Sequence, residues 1–254
     1  MINLLKMDLT RFLTNKIMYV FLLVFIAFQM FGIFMLKQYE QPVEAGEILI
    51  RRMNESEFIQ MMLAQTPSWI LMYIAVFSVY FYMSEYNSGF YKNYISMNNA
   101  RRNSVLSKIL ILGIFTLFMF IVMLIADLIG RSLFFQQAAI GDSGYFVKLL
   151  IGQFLLHWAF AIVVLCAVMM IKQAIPSIVI GIILSLNVFG MVAGALESLV
   201  SDTNLSAYLL VNTIVDIKDF DQINDVVHVV SVAIIFLFVF SIIAVRYKRK
   251  EDLR

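Results

Sequence analysis

The sequence predicts an all-α integral membrane protein, a single transmembrane domain over 1–254 with six helices crossing the bilayer and both ends on the cytoplasmic side. Three observations lead there. Of the 254 residues, 62% are hydrophobic and 14% charged, against roughly 45–50% and about 25% in a soluble domain, so lipid is the expected solvent. Six apolar stretches meet or approach the ~20 residues that a helix needs to cross a hydrocarbon core about 30 Å thick. The lysines and arginines favour alternate loops, and basic residues in short loops are retained on the cytoplasmic side.

The elements follow in order. The first sixteen residues place Ile2, Leu5, Leu9 and Phe12 at helical spacing and leave Lys6, Arg11 and Lys16 for water or phosphate, the pattern of a helix lying in the membrane interface. The first apolar run, 17–36, is long enough to span, and no small-residue cleavage site follows it, which speaks against a removable signal peptide. Spans two and three are expected over 67–84 and 109–129. The fourth and fifth, 149–171 and 174–196, read almost as one run, but a single helix of that length would be about 70 Å long, so the chain must fold back. Lys172 and Gln173 supply the polar break, and Pro176 suits the first turn of the returning helix, where its missing N–H costs nothing. The sixth span is expected over 226–245. Just before it, the apolar stretch 205–215 is too short to cross and predicts a short external re-entrant or interfacial helix.

Orientation comes from the basic residues. With both termini inside, Lys6, Arg11, Lys16, Lys92, Arg101, Arg102, Lys108, Lys172, Arg246, Lys248, Arg249, Lys250 and Arg254 are internal. Only Lys37, Arg51, Arg52, Arg131, Lys148 and Lys218 are external, a bias of about two to one that fixes the direction of every span. Acidic residues lean the other way, with Glu40, Glu44, Glu47, Glu55 and Glu57 in the first external loop and Asp216, Asp219, Asp221 and Asp225 in the last.

Several chemistries are disfavoured by what the sequence holds. Cys166 is the only cysteine and sits in an apolar run, so a disulfide framework or a cysteine-based zinc site is not expected. There is no Gly-x-x-x-x-Gly-Lys-[Ser/Thr] phosphate loop, so this chain is not itself expected to hydrolyse ATP. No His-Glu-x-x-His run occurs, and His157 and His228 belong to different spans. The run Gly141-Asp142-Ser143-Gly144 has its second glycine one residue too close for a nucleophile elbow and lacks the strand-turn-helix setting. An intramembrane enzyme would need ionisable groups converging at one depth, and few are present. A non-transporting scaffold subunit is a third reading.

The stretch 85–108 is the most informative. It mixes aromatic and basic side chains around a turn-prone Asn98-Asn99 pair, whereas a plain connection would need only a few residues. Glu85 closes the second span, Gly89 follows four residues later, then come Lys92, a short turn, Arg101 and Lys108 opening the third span. In this order the chain resembles the membrane subunits of ABC-2 type ATP-binding-cassette transporters. Where that family often has a proline before the arginine, Met97, Asn98 and Asn99 stand here. The resemblance extends to the layout: an elbow helix, six spans, a tight fourth-to-fifth hairpin and a polar external segment before the last span. It implies that the segment from about Glu85 to Arg102 forms a coupling helix docking on a separate ATPase, a contact that would suit Tyr86, Tyr91 and Tyr94 as aromatic anchors, with Arg102 beside Arg101.

The resemblance further implies two ATPase copies that bind ATP and Mg, with no cofactor in this chain, and a second permease subunit, identical or related. It implies a bacterial plasma membrane and export of an amphipathic peptide or another hydrophobic substrate, including antimicrobial peptides. Membrane lipid is a partner; nucleic acid is not. Within the spans, Asp127 is the clearest ionisable residue, and Arg131 four residues on is the expected ion-pair partner. Gln29, His157 and Asn187 are expected to bond between helices.

Overall fold

The computed structural model describes residues 2–39, 50–90, 99–135, 141–200 and 205–250, and all regular structure among them is helical. In chain order the helices are α1 (Ile2–Leu13), α2 (Lys16–Gln38), α3 (Glu55–Leu63), α4 (Trp69–Asn87), α5 (Ala100–Phe135), α6 (Ser143–Ile171), α7 (Ala174–Ser185), α8 (Val188–Val200), α9 (Leu210–Val215) and α10 (Ile223–Lys250). Short 3-10 helices lie at Ile50–Arg52 and Leu205–Tyr208.

Four helices, α2, α5, α6 and α10, are long and apolar enough to cross a membrane, and α7 with α8 make a fifth if counted as one broken span. The chain is thus an all-α membrane-spanning protein. Helix α4, on the expected second span, has 19 residues, or about 28 Å, yet Tyr73, Tyr80, Tyr82, Tyr86 and Glu85 dilute its apolar character. Its surroundings explain the difference. Leu71, Ile74, Ala75, Phe77, Ser78 and Val79 are all fully buried, so protein rather than lipid is the solvent of much of this helix.

The expected fifth span, 174–196, is not continuous. The chain bends by 48° between α7 and α8, because Asn187 adopts the left-handed conformation (φ 57°), which an α-helix cannot carry through and which asparagine tolerates better than most residues. The preceding hairpin is as tight as expected. Lys172 (φ 56°) ends α6 in the left-handed conformation, its N–H bonding to Val168 O, and Gln173 starts α7. Pro176 lies in the first turn of α7, where no N–H is needed. The expected helix over 205–215 is two short pieces, the 3-10 turn at Leu205–Tyr208 and α9.

Helix α1 forms, but on a different face from the one anticipated. Leu4, Asp8 and Phe12 are buried while Ile2 is 80% exposed. Phe12 decides this rotation: its ring meets Phe77, Phe81 and Phe115 edge-on at 6.0, 6.4 and 6.4 Å, an arrangement that aromatic quadrupoles favour. Asp8, one turn earlier on the same face, is carried inward with it.

Burial is uneven among the long helices. In α6, 61% of the span window is buried inside the protein, against 17% in α10. Helix α6 is fixed to α5 by Trp158, whose indole N–H donates to Ile109 O at 2.9 Å. The ring lies where a side chain on Gly113 would project, 2.9 Å from an ideal Cβ, so glycine is required for this approach.

Candidate functional site

The packing of α1 brings four charged side chains from three helices together at the end of the bundle where α10 finishes. Glu85, at the close of α4, accepts from Lys108 Nζ of α5 at 2.9 Å through Oε1 and from Arg11 of α1 through Oε2. Asp8 Oδ2 accepts from Ser107 Oγ at 2.6 Å and lies 3.8 Å from Lys108 Nζ. Arg11 also donates to Phe81 O at 3.2 Å and stacks 4.2 Å above the Phe81 ring. Asp8, Glu85 and Lys108 are buried and Arg11 partly so.

Two acids facing two bases is what makes this arrangement tenable. An isolated buried charge is costly to desolvate, whereas a paired and hydrogen-bonded one recovers most of that cost. The cluster is therefore a staple that holds α1, α4 and α5 together, with Glu85 bonded to both bases. Lys248 of α10, also buried, places its ammonium 5.9 Å from the Tyr82 ring centre. Between Glu85, Lys108, Ser104 and Lys248 a cavity of about 10 Å³ remains, room for about one water and not for a substrate.

The same residues frame the connection from α4 to α5. Gly89 has φ 67° and Asn99 φ 56°, so the chain turns through left-handed residues on both sides of 91–98. A side chain at Gly89 would be strained in that conformation. Of the residues assigned to coupling by resemblance, Tyr91, Lys92 and Tyr94 lie outside the described residues. Glu85 is drawn into the charge cluster, Arg101 donates to Arg249 O of α10 at 3.1 Å, and Arg102 is exposed at the start of α5.

At the opposite end the expected pair between Asp127 and Arg131 does not form. Arg131 instead bonds Glu55 of α3, Nη1 to Oε2 at 2.5 Å, donates to Met53 O, and lies 4.8 Å from the Phe58 ring centre. Asp127 accepts from Gln29 of α2 at 2.8 Å. The i, i+4 spacing permits the helical pair, but α3 packs over the end of α5 and offers a carboxylate in a buried setting. Burial pushes the Glu55 carboxyl above the usual carboxylate range, against the hydrogen bond and charge of Arg131, which pull it down.

A third polar junction is built mainly on carboxamides. Asn187, at the break in the broken span, donates to Asn212 Oδ1 of α9 at 2.6 Å, and Asn212 donates to Ser206 O at 2.7 Å. Ser206 N in turn donates to Glu197 of α8 at 2.7 Å. Gly190 leaves the space these carboxamides fill, since a Cβ there would stand 1.9 Å from Asn212 Oδ1. His157, expected to bond between helices, instead meets its own helix at Gln153 O, 2.7 Å away, and faces the Phe120 ring.

Sequence reasoning passed over Asp8, left Arg11 to water or phosphate, and took Lys108 as the opening of the third span rather than as a partner of Glu85. The available signal was the 4-8-12 spacing, which puts an acid between Leu4 and Phe12 on one helical face. Among the described residues no group of three or more His, Cys, Asp or Glu is placed to hold a metal ion. No protein-family model and no curated protein matches this sequence.

Proposed function

We propose that this chain is the membrane subunit of an ABC-2 type transporter, one half of a translocation path driven by a separate ATPase. The observation that supports it best is the Asp8–Arg11–Glu85–Lys108 cluster. It joins the N-terminal helix to the two helices that bracket the polar segment 91–98, so a push on that segment would move three helices together. In this reading α4 and the broken α7–α8 pair are the second and fifth of six spans. α1 is the elbow helix at the interface, and both termini are cytoplasmic in a bacterial plasma membrane. Two ATPase copies carry ATP and Mg, and a second permease subunit completes the path. The passenger is an amphipathic peptide or another hydrophobic compound, and ATPase closure shifts the helices between inward and outward states.

The test is reversal of the two basic residues nearest the expected contact, K92E with R101E, in the full chain co-expressed with its ATPase. Loss of ATPase co-purification in mild detergent and of passenger-stimulated ATP turnover, with helix content unchanged by circular dichroism, is the expected result. Association and transport that survive the reversal would sink the coupling role. Hydrolysis of lipid or peptide by the isolated chain would favour an intramembrane enzyme instead.

A further inference from the structure

The outward face of α10 has a shape that matches one ligand class. Ile235, Phe238, Val239 and Ile242 are exposed and lie on one stripe of the helix, and the stripe continues into Arg246, Arg249 and Lys250, also exposed. At 100° per residue these positions stay within about 60° of a common line. Ile235 to Arg246 spans eleven steps of 1.5 Å, about 16 Å, close to half of a hydrocarbon core about 30 Å thick. The apolar part is therefore one leaflet deep and ends in guanidinium and ammonium groups at headgroup level.

A second helix supplies more positive charge at the same place. Arg101 donates to Arg249 O, which sets the start of α5 against the last turn of α10, and Arg102 is exposed beside it. Among the described residues, the acids of this end are Asp8 and Glu85, both buried in the charge cluster, while Glu251 and Asp252 follow Lys250 in the sequence, outside the described residues. An acyl chain along the stripe and a phosphate at its basic end would satisfy both halves at once.

We infer that this face of α10, with Arg246, Arg249 and Lys250 and the adjoining Arg102, holds an anionic phospholipid in preference to a zwitterionic one. The inference needs only that α10 crosses a bilayer, and it stands apart from any transport role.

The full-length chain carrying I242W, reconstituted in phosphatidylcholine vesicles, reports on this face. Fluorescence of the parent chain, which keeps Trp69 and Trp158, is subtracted. Brominated phosphatidylglycerol and brominated phosphatidylcholine are compared as equal minor fractions. The anionic lipid is expected to quench the new indole at a several-fold lower mole fraction. High salt should reduce that preference, and R246Q with K250Q should lower it on the order of fivefold per side chain removed. The salt titration needs no charge variant, so it decides the matter even if R246Q/K250Q fails to fold. Equal quenching by the two lipids would reduce the face to ordinary lipid contact. Quenching by neither would mean that a second copy or another protein covers it. Either result overturns the inference.

Discussion

The two ends of the bundle both bury charge, but they use it differently. At the end where α10 finishes, Asp8, Arg11, Glu85 and Lys108 balance two against two and tie three long-separated parts of the chain. At the other end, Glu55 and Asp127 share the neighbourhood of one arginine, and Arg131 uses its bonds to hold α3, a nine-residue helix, against α5. The first cluster fastens helices to each other beside a polar connection. The second fastens a short cover to the bundle. The first cluster has a base for each acid, whereas the second sets two acids beside one arginine, so that a proton taken up by a carboxyl there removes an unmatched charge.

That contrast can be tested by removal. Glu85→Ala strips the carboxylate from Lys108 and Arg11 together and is expected to lower stability by about 3–5 kcal/mol. Asp8→Ala, which loses the Ser107 bond and a 3.8 Å pair, should cost distinctly less. Thermal unfolding of both variants in detergent checks the order, and equal losses would show that the cluster has no centre at Glu85.

At the opposite end the expected signature is a pH dependence. Glu55 holds its proton more tightly folded than unfolded, so the folded state binds more protons than the unfolded one between the two values. The stability this contributes is fully present below the unfolded value of about 4.3 and is lost as pH rises through the folded one. Glu55→Gln should flatten this decline. Arg131→Met should steepen it, because the guanidinium that opposes protonation is gone. A pH series of unfolding midpoints that is the same in all three chains would remove the distinction between the two ends.

The smallest effect should come from the turn beside the first cluster. Gly89→Ala places a side chain in a left-handed residue and is expected to cost about 1–2 kcal/mol, and Gly89→Asn less, since asparagine visits this region more readily. Comparison of the two variants by the same unfolding assay separates backbone strain from loss of a contact.

How far the sequence reveals this molecule depends on the range of the interaction. Long apolar runs announced α2, α5, α6 and α10 because hydrophobic length is a local property, and the Lys172–Gln173 turn was visible because a helix of that length has nowhere to go. The break at Asn187 was not, since one polar residue in an apolar run does not reveal its φ. Pairing was the least legible feature. Arg131 had an acid four residues away and took one from a helix 76 positions distant, and Asp8 found Ser107 across 99 positions. Helical spacing shows which partners are possible, and tertiary packing chooses among them.

The indole of Trp158 set into the gap at Gly113, and bonded to Ile109 O, has a mechanical consequence. A ring keyed into a backbone notch resists sliding of α5 along α6, because one turn of slip would drive it into bulkier neighbours such as Ile109 or Thr116. The two helices can pivot about that point far more easily than they can shear. Displacement applied to the start of α5 would then reach the far end of the bundle with its direction reversed, as at the two arms of a lever.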